Sequence, residues 1–557
     1  MGYIPHVVLV LYLFLLLGLG GLSYLWGETT EEDFYLAGRG QGILVTSFTI
    51  MATYFSGFAM LAFPGWVYEF GLAPMLLALN LPVAGAAVYV LGNRIRRIGQ
   101  TRGFVTPADM IADYYGGRVS VRLLVAFISF LYVLPYVVMQ IKAGGHLAQG
   151  LFANTQAVHI FGVELTIYNA GTAALSVVTM LYVLLGGMRS VAWTDALQGM
   201  LLFGGMVLAG IATLVAMGGV GAYFDTVSGL SSDLLTVREG PGSQWNPWWI
   251  MTYCLFASIA SILQPAQWMR LYSANSSDTL RKSALIFSLV LPTCFLFGVL
   301  LVGIGGRAMY PPQGVTETGS LILPEGLASA DQIVILMIRE HLPTLLGAVG
   351  LVLVAVILVA IMAASMSTAD SNLHALSGVL TRDVYDQFIR PSASQKERAW
   401  VGRSVIVAAT VLAFLVSYVS QTNPEFGLLR TIAQFFLLAL AFSCQLLPVT
   451  LDILFVRRGT PAGAAWGMAA GVLTVLVMSP FFGIVVGDGA FTEVRAVFGD
   501  LKNLFDHGFL GVVVNTIVFV GVSAVTEGPN RDRIRAFVAD LKTPVDEAEA
   551  VVEEPVL

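Results

Sequence analysis

The residues with the most chemistry per unit length are Met362-Ala363-Ala364-Ser365-Met366-Ser367-Thr368-Ala369-Asp370-Ser371. They follow a long apolar run, Leu345 to Ile361, and set hydroxyls, a carboxylate and small side chains where hydrocarbon favours Leu and Val. At helical spacing Ala364, Ser367, Thr368 and Ser371 share one face. Such a face lets another backbone approach closely and offers only oxygen ligands, which a small hard cation such as sodium selects. It equally fits a tight helix–helix seam, with each hydroxyl bonded back to a carbonyl one turn earlier.

The elements that carry this stretch are membrane spans. Of 557 residues 57% are hydrophobic and 11% charged, against roughly a quarter charged in a soluble domain. The formal charge of −6 says little, because Lys and Arg in the loops set sidedness. Cys254, Cys294 and Cys444 sit far apart in apolar runs, so neither a disulfide framework nor a metal site is expected. Val7 to Leu25 lacks a basic leader and a cleavage site, and reads as a retained span.

Runs of membrane length fall near 6–26, 43–68, 73–93, 121–151, 165–187, 191–217, 247–266, 283–305, 344–378, 402–420, 427–455, 462–486 and 508–526, about thirteen spans. Basic residues concentrate in alternate loops, from Arg94, Arg96, Arg97, Arg102 and Arg118 through Arg189, Arg270, Arg281 and Lys282 to Arg382, Arg390, Lys396, Arg398, Arg403, Arg457 and Arg458. The other loops hold only Arg238, Arg307, Arg339, Arg495 and Lys502, which predicts an outside N-terminus and an inside C-terminus. Of the longer outer segments, Gly219–Asn246 and Gly306–His341, the second carries a polar, helical piece over Ser329–His341, suited to a lid. The tail from Glu527 begins basic and amphipathic and ends acidic, with a disordered end expected over Asp546–Leu557.

Two spans look interrupted. One reads Thr53-Tyr54-Phe55-Ser56-Gly57 before Pro64-Gly65; the other holds Ser258, Ser261 and Gln264-Pro265. They stand five spans apart, where a five-plus-five inverted repeat after one leading helix places its first helices. Simple kinking by Gly and Pro is the plainer reading of either alone.

Three stretches in order resemble the sodium:solute symporter family. They are Gly186-Gly187-Met188-Arg189-Ser190-Val191-Ala192-Trp193-Thr194-Asp195-Ala196-Leu197-Gln198, then Ala363–Ser371 with Thr381-Arg382-Asp383-Val384-Tyr385, and Phe34–Arg39 leading into Phe55-Ser56-Gly57 and Pro64-Gly65. The resemblance covers residues from about 5 to 460. It implies an all-α polytopic membrane protein with a LeuT-like ten-helix core. The implied domains are a leading helix and loop (1–42), a core (43–455, with repeats 43–217 and 247–455), two peripheral helices (456–526) and a cytoplasmic tail (527–557).

By resemblance, sodium is held by the carbonyls of Ala52, Phe55 and Ala364 and the hydroxyls of Ser367 and Thr368. Asp195, Asp370 and Ser371 are assigned to a second ion site or exit path; members that bind two sodium ions carry serine at the position of Asp370, so Asp370 reads either as a cation ligand or as a hinge paired to an inner arginine. Expected solute contacts are Tyr54, Ser56, Gly57, Tyr136, Gln140, Lys142, Tyr253, Ser258 and Gln434. Lys142 and Arg430 are basic residues deep in apolar runs. For Lys142 a substrate carboxylate competes with snorkelling or a protein carboxylate as partner.

Sugar-transporting relatives place an aromatic pair where this chain has Ala260 and Ser261, whereas Gln264-Pro265 and Arg270 resemble the proline, pantothenate and monocarboxylate branches. The expectation is a sodium-coupled symporter for a small carboxylate-bearing solute, multi-pass in the plasma (inner) membrane. Sodium is its coupling ion and lipid its surround, with no other cofactor, no catalytic residue and no nucleic-acid partner. A cationic or neutral solute such as choline, and proton coupling, are the alternatives. An intramembrane enzyme is remote: there is no His-Glu-x-x-His, and Gly487-Asp488 lacks the preceding Gly-x of an aspartyl-protease motif. No signalling domain supports a sensor.

Overall fold

The computed structural model describes residues 3–26, 31–152, 155, 157–160, 163–236, 245–317, 320–423, 431–479, 482–483, 493, 496 and 505–542. Arg238, Arg430, Arg495, Lys502, Gly487-Asp488 and Asp546–Leu557 lie outside these residues.

Eleven helices are long and apolar enough to cross a membrane, and two bent helix pairs bring the number to 13 among the described residues. In chain order they are α1 (Ile4–Trp26), the pair α2 (Ile43–Tyr54) and α3 (Phe58–Phe70), then α4 (Asn80–Val90), which runs on into α5 (Gly92–Arg102). After the short α6 (Pro107–Tyr114) come α7 (Val119–Leu151), α8 (Ile167–Leu184) and α9 (Ser190–Ala216). The second pair is α10 (Pro247–Ala260) and α11 (Pro265–Ser273). It is followed by α12 (Ser277–Met309), α13 (Ile333–Val379), α14 (Gln395–Thr422) and α15 (Ile432–Ser443). The last spans are α16 (Pro461–Met478) and α17 (His507–Val525); the short polar α18 (Arg531–Lys542) follows and is not one of the 13.

Both predicted interruptions are real bends, 60° between α2 and α3 and 45° between α10 and α11. Phe55 leaves helical geometry (φ −85°, ψ 88°). At the second break Gln264 is extended and Pro265 starts α11, as expected where proline lacks an amide and disfavours a helical predecessor. Two turns depend on positive φ: Gly187 (56°) between α8 and α9, and Gly347 (56°) within α13. The latter divides the first part of α13 from the span, so the polar stretch beyond Ser329 is a short 3-10 turn (Ala330–Gln332) running into that first part. Two hairpins were not expected: Ala157–Ile160 with Val163–Thr166, and Gly314–Val315 with Leu321–Ile322.

Packing sorts the helices. On α1, Val7, Leu11 and Phe14 are exposed, while Leu9, Tyr12 and Leu16 are buried against α9 and α13. That one-sided apolar exposure is what a lipid-facing helix shows. α13 lies at the centre, packed on α7, α8 and α9, and every residue from Leu373 back through the Ser365–Ser371 stretch is buried. α16 and α17 pack on each other; Asn515 Nδ2 donates to the Gln445 carbonyl (2.9 Å), tying them to the end of α15.

Candidate functional site

The break after α2 is where α13 brings its hydroxyls. Ser367 Oγ lies 3.2 Å from the Ala52 carbonyl and 3.2 Å from that of Ala364; Thr368 Oγ1 lies 3.0 Å from each. Ser367, Thr368, Ala52, Ala364 and Phe55 are all fully buried. Four of the five expected oxygens thus meet in one cradle, and Phe55 stands at the point where the chain leaves the helix. The groups are neutral and all offer oxygen, which suits a monovalent hard cation that must also leave.

The unwound segment is secured from the other side. The Gly57 amide donates to Gln140 Oε1 (2.9 Å), and the Phe58 amide to Ser56 Oγ (3.2 Å). A Cβ on Gly57 would lie 2.6 Å from Ser365 Oγ and 3.0 Å from Gln140 Oε1, so any larger residue must push a side chain aside. Tyr54 donates to Asn80 Oδ1 (2.7 Å), and Tyr132 hydroxyl donates to Gln264 Oε1, joining α7 to the second break. The rings of Tyr132 and Tyr136 lie 5.0 Å apart.

Beside the cradle is a closed aromatic pocket of about 20 Å³, lined by Tyr54, Phe58, Tyr253, Phe295 and Phe436 among others. That holds no more than about one water. Phe58 and Phe436 stack at 4.0 Å across it, and Tyr253 stacks on Trp249 at 5.4 Å.

One turn along α13 lies a buried polar network. Arg270 of α11 pairs with Asp195 of α9 (NH2 to Oδ2, 2.7 Å), while its Nε donates to Thr49 Oγ1 (2.8 Å) and its NH2 also donates to Ser371 Oγ. Thr49 Oγ1 donates to Asp195 Oδ2 (2.5 Å). Asp370 accepts from Tyr182 hydroxyl (2.5 Å), and Ser371 Oγ lies 2.9 Å away.

Three of the singled-out residues are found with protein partners. Gln434 caps the start of α15 in a reciprocal box with Thr431. Arg270 is 1% exposed and is no loop cation; it is the partner of Asp195, whereas Asp370 has no direct ion pair to it among the described residues. Lys142 of α7 is fully buried. Its ammonium lies 5.4 Å from the Phe435 ring and within electrostatic reach of Asp331 at the lid. Ser258 bonds back to the Cys254 carbonyl. Thr49, Thr53, Tyr182 and Asn80 were not anticipated; Thr49 and Thr53 carried a signal, hydroxyls at i and i+4 just before the interruption.

A bundle of membrane-length helices, with two matched breaks and a carbonyl–hydroxyl cradle at the first, is the architecture of an ion-coupled secondary transporter. A model of the sodium:solute symporter family matches residues 34–471. The chain belongs to that family. It is a sodium-coupled solute symporter and not an enzyme.

Among its relatives, the sodium/proline symporter of Escherichia coli (strain K12) is 26% identical over 492 residues, 85% of this chain and 88% of that one. The osmoregulated proline transporter OpuE of Bacillus subtilis (strain 168) is 25% identical over 92% of this chain and 94% of its own length. Of solved structures, a Na+-coupled sialic acid symporter in a substrate-bound outward-open state superposes with a TM-score of 0.69 at 19% identity, covering 95% of this chain and 99% of that chain. MhsT in complex with L-phenylalanine gives 0.50 at 14% identity, covering 85% and 97%. These two likenesses establish the LeuT-like fold.

Proposed function

We propose that the chain imports a small carboxylate-bearing solute, proline foremost, together with sodium across the plasma membrane by alternating access. The observation that carries this reading is the convergence of the Ser367 and Thr368 hydroxyls on the Ala52 carbonyl, where α2 breaks off. Sodium bridging α13 to α2 favours whichever arrangement keeps the five oxygens together, and it can shift the equilibrium only by its differential affinity for the two states. The proline transporters named above support the solute class, as do Gln264-Pro265 in place of a stacking aromatic pair.

In this reading residues 43–217 and 247–455 form the two repeats and 456–526 brace them. The N-terminus is outside and Ser329–His341 forms the outer lid. Tyr136, Gln140, Ser56 and Gly57 face the solute from the first break, Tyr54, Tyr253 and Ser258 from the aromatic side.

Uptake into proteoliposomes under imposed sodium or proton gradients tests the proposal, with proline, pantothenate, monocarboxylates, choline and a sugar offered in parallel. Sodium-driven proline accumulation is expected; uptake driven by a proton gradient without sodium would sink it. Choline is a meaningful competitor because the pocket beside the cradle is walled by aromatic faces, which attract quaternary ammonium groups.

A further inference from the structure

We propose that Arg94, Arg97 and Arg457 form a binding site for the phosphate of an anionic phospholipid headgroup, at the end of the bundle where α18 folds back. The proposal needs a chain that crosses a membrane and does not depend on which solute is carried.

The site is a cavity of about 430 Å³ lined by Asn93, Arg94 and Arg97 of α5, by Arg457, and by Val538 and Leu541 of α18. Other residues hold α18 in place. Arg102 pairs with Asp540 (2.6 Å), and its guanidinium lies 3.9 Å from the centroid of the Phe537 ring. Phe537 is buried edge-on to Tyr114 (5.2 Å), and Arg533 NH1 donates to the Asp113 carbonyl (2.9 Å). The wall that α18 gives the cavity is therefore built into the fold.

Three guanidiniums and no carboxylate line this space. Each spends one nitrogen on a carbonyl: Arg94 and Arg457 on Leu454 (3.1 and 3.3 Å), Arg97 on Leu541 (3.4 Å). The Nε atoms of Arg97 and Arg457 are buried and make no hydrogen bond. The nearby carboxylates are engaged elsewhere. Asp540 is held by Arg102, and Asp452 accepts from the Tyr115 hydroxyl (2.8 Å) and from the amides of Arg458 and Gly459 (2.9 Å each). Guanidiniums around one cavity repel one another, and their planar forks with donors to spare match the oxygens of a phosphate.

The surroundings favour a phosphate carried by a lipid. Tyr89 and Val90, about one turn before Arg94, are exposed, as are Phe455 and Val456 immediately before Arg457. The Arg94 guanidinium lies 4.4 Å from the centroid of the Phe455 ring. Lipid-facing apolar side chains thus give way to cations on both spans that meet here, as they do where hydrocarbon meets headgroups. Val538 and Leu541 add an apolar wall that a free, fully hydrated phosphate has no use for. The orientation proposed above turns this end toward the cytoplasm, the side on which basic pockets between spans take anionic headgroups.

The test uses the full-length protein, purified in neutral detergent and stripped of lipid, with phosphatidylglycerol, phosphatidylcholine and inorganic phosphate as separate probes. Native mass spectrometry reads bound lipid, and the unfolding temperature is followed in parallel. Phosphatidylglycerol should bind and raise the unfolding temperature, whereas phosphatidylcholine and inorganic phosphate at the same concentration should not. R97Q/R457G should bind phosphatidylglycerol about thirtyfold more weakly. R457G alone, which suits the φ of 60° at that turn, should bind about fivefold more weakly and serves if the double variant does not fold. Equal binding of phosphatidylglycerol by wild type and variants would overturn the proposal, as would equal protection by phosphatidylcholine or by inorganic phosphate. A chain ending at Lys542 lacks Asp546, Glu547, Glu549, Glu553 and Glu554. If phosphatidylglycerol binds only to that shortened chain, the protein's own carboxylates fill the cavity and the lipid assignment fails. None of these readouts measures transport, so the failure of the solute reading would leave them unaltered.

Discussion

The Thr368 hydroxyl lies 3.0 Å from the Ala52 carbonyl, 316 positions earlier in the chain, and the same oxygen reaches the Ala364 carbonyl of its own helix at 3.0 Å. A hydroxyl that only back-bonds along a helix has no use for a second carbonyl on another. T368A and S367A should each weaken sodium dependence tenfold or more, the equivalent of losing a contact worth about 1.5–3 kcal/mol to a charged group. T368S keeps the oxygen and should recover most of it. Sodium activation curves for uptake check the series, and an unchanged curve in both alanine variants would remove the cradle from the mechanism.

Gly57 makes a second, purely steric prediction. A methyl there would press on Ser365 Oγ at 2.6 Å and Gln140 Oε1 at 3.0 Å. G57A should therefore fold but transport poorly, with overpacking costing about 1–3 kcal/mol. Adding S365A relieves the closer contact, so the double variant should transport better than G57A alone; additive losses would show that the contact is not the cause.

The breaks were legible because Gly, Pro, Ser and Gln are punctuation in any helix, and their five-span separation survives errors of several residues at each boundary. Periodicity put Ala364, Ser367 and Thr368 on one face, but it left an ion site and a packing seam equally open; Ala52 and Phe55 as their partners came only from the resemblance to the family. The Arg270–Asp195 pair was not legible. Its members lie 75 residues apart on different helices, and Arg270 at the end of an apolar run looks like any loop arginine until α11 is seen bent into the bundle. Gln434 carried a local signal that was not read: Thr431-x-x-Gln434 is a capping box, and its Oε1 accepts from the Thr431 amide.

That buried pair predicts an asymmetry. R270Q leaves Asp195 ionised without its cation and should destabilise the protein by about 3–5 kcal/mol. D195N/R270Q removes both charges and should be milder than the sum of the single changes. Thermal unfolding in detergent measures the cycle; strict additivity would mean that the two residues do not interact.

At the end of the bundle where α6 meets α7 and α13, Arg122 binds both Asp109 (3.0 Å) and Asp383, and Arg382 lies 3.3 Å from Asp109. Burial raises the Asp109 carboxyl, but Arg382, the Val105 amide and Arg122 outweigh it and hold the group below its ordinary value. A lowered carboxylate contributes stability that is present above the unfolded pKa, about 3.9, and is lost as pH falls through the folded value. The wild type should thus lose stability on acidification below about pH 4 more steeply than D109N, whose curve should be flatter. Parallel curves in a pH series of unfolding temperatures would exclude Asp109 as the source.

Lys142 offers the sharpest choice between solute binding and gating. Its ammonium faces Asp331, whose Oδ2 lies 3.7 Å from His146 Nε2, while the neighbouring Gln332 donates to Gln149 Oε1 at 2.6 Å. All these contacts tie the turn ahead of α13, proposed above as an outer lid, to α7, and Gly65 of α3 lies so close that a Cβ there would sit 2.9 Å from Ala330. A lysine that anchors a lid changes how often the outer path opens, not how a carboxylate is recognised once inside. K142M should therefore leave the apparent affinity for a transported carboxylate unchanged. It should also raise labelling of a single cysteine placed behind the lid by a membrane-impermeant thiol reagent. D331N should do the same, and the double variant should be no more open than either alone. A large rise in the half-saturating solute concentration in K142M, with labelling unaltered, would return Lys142 to the solute site.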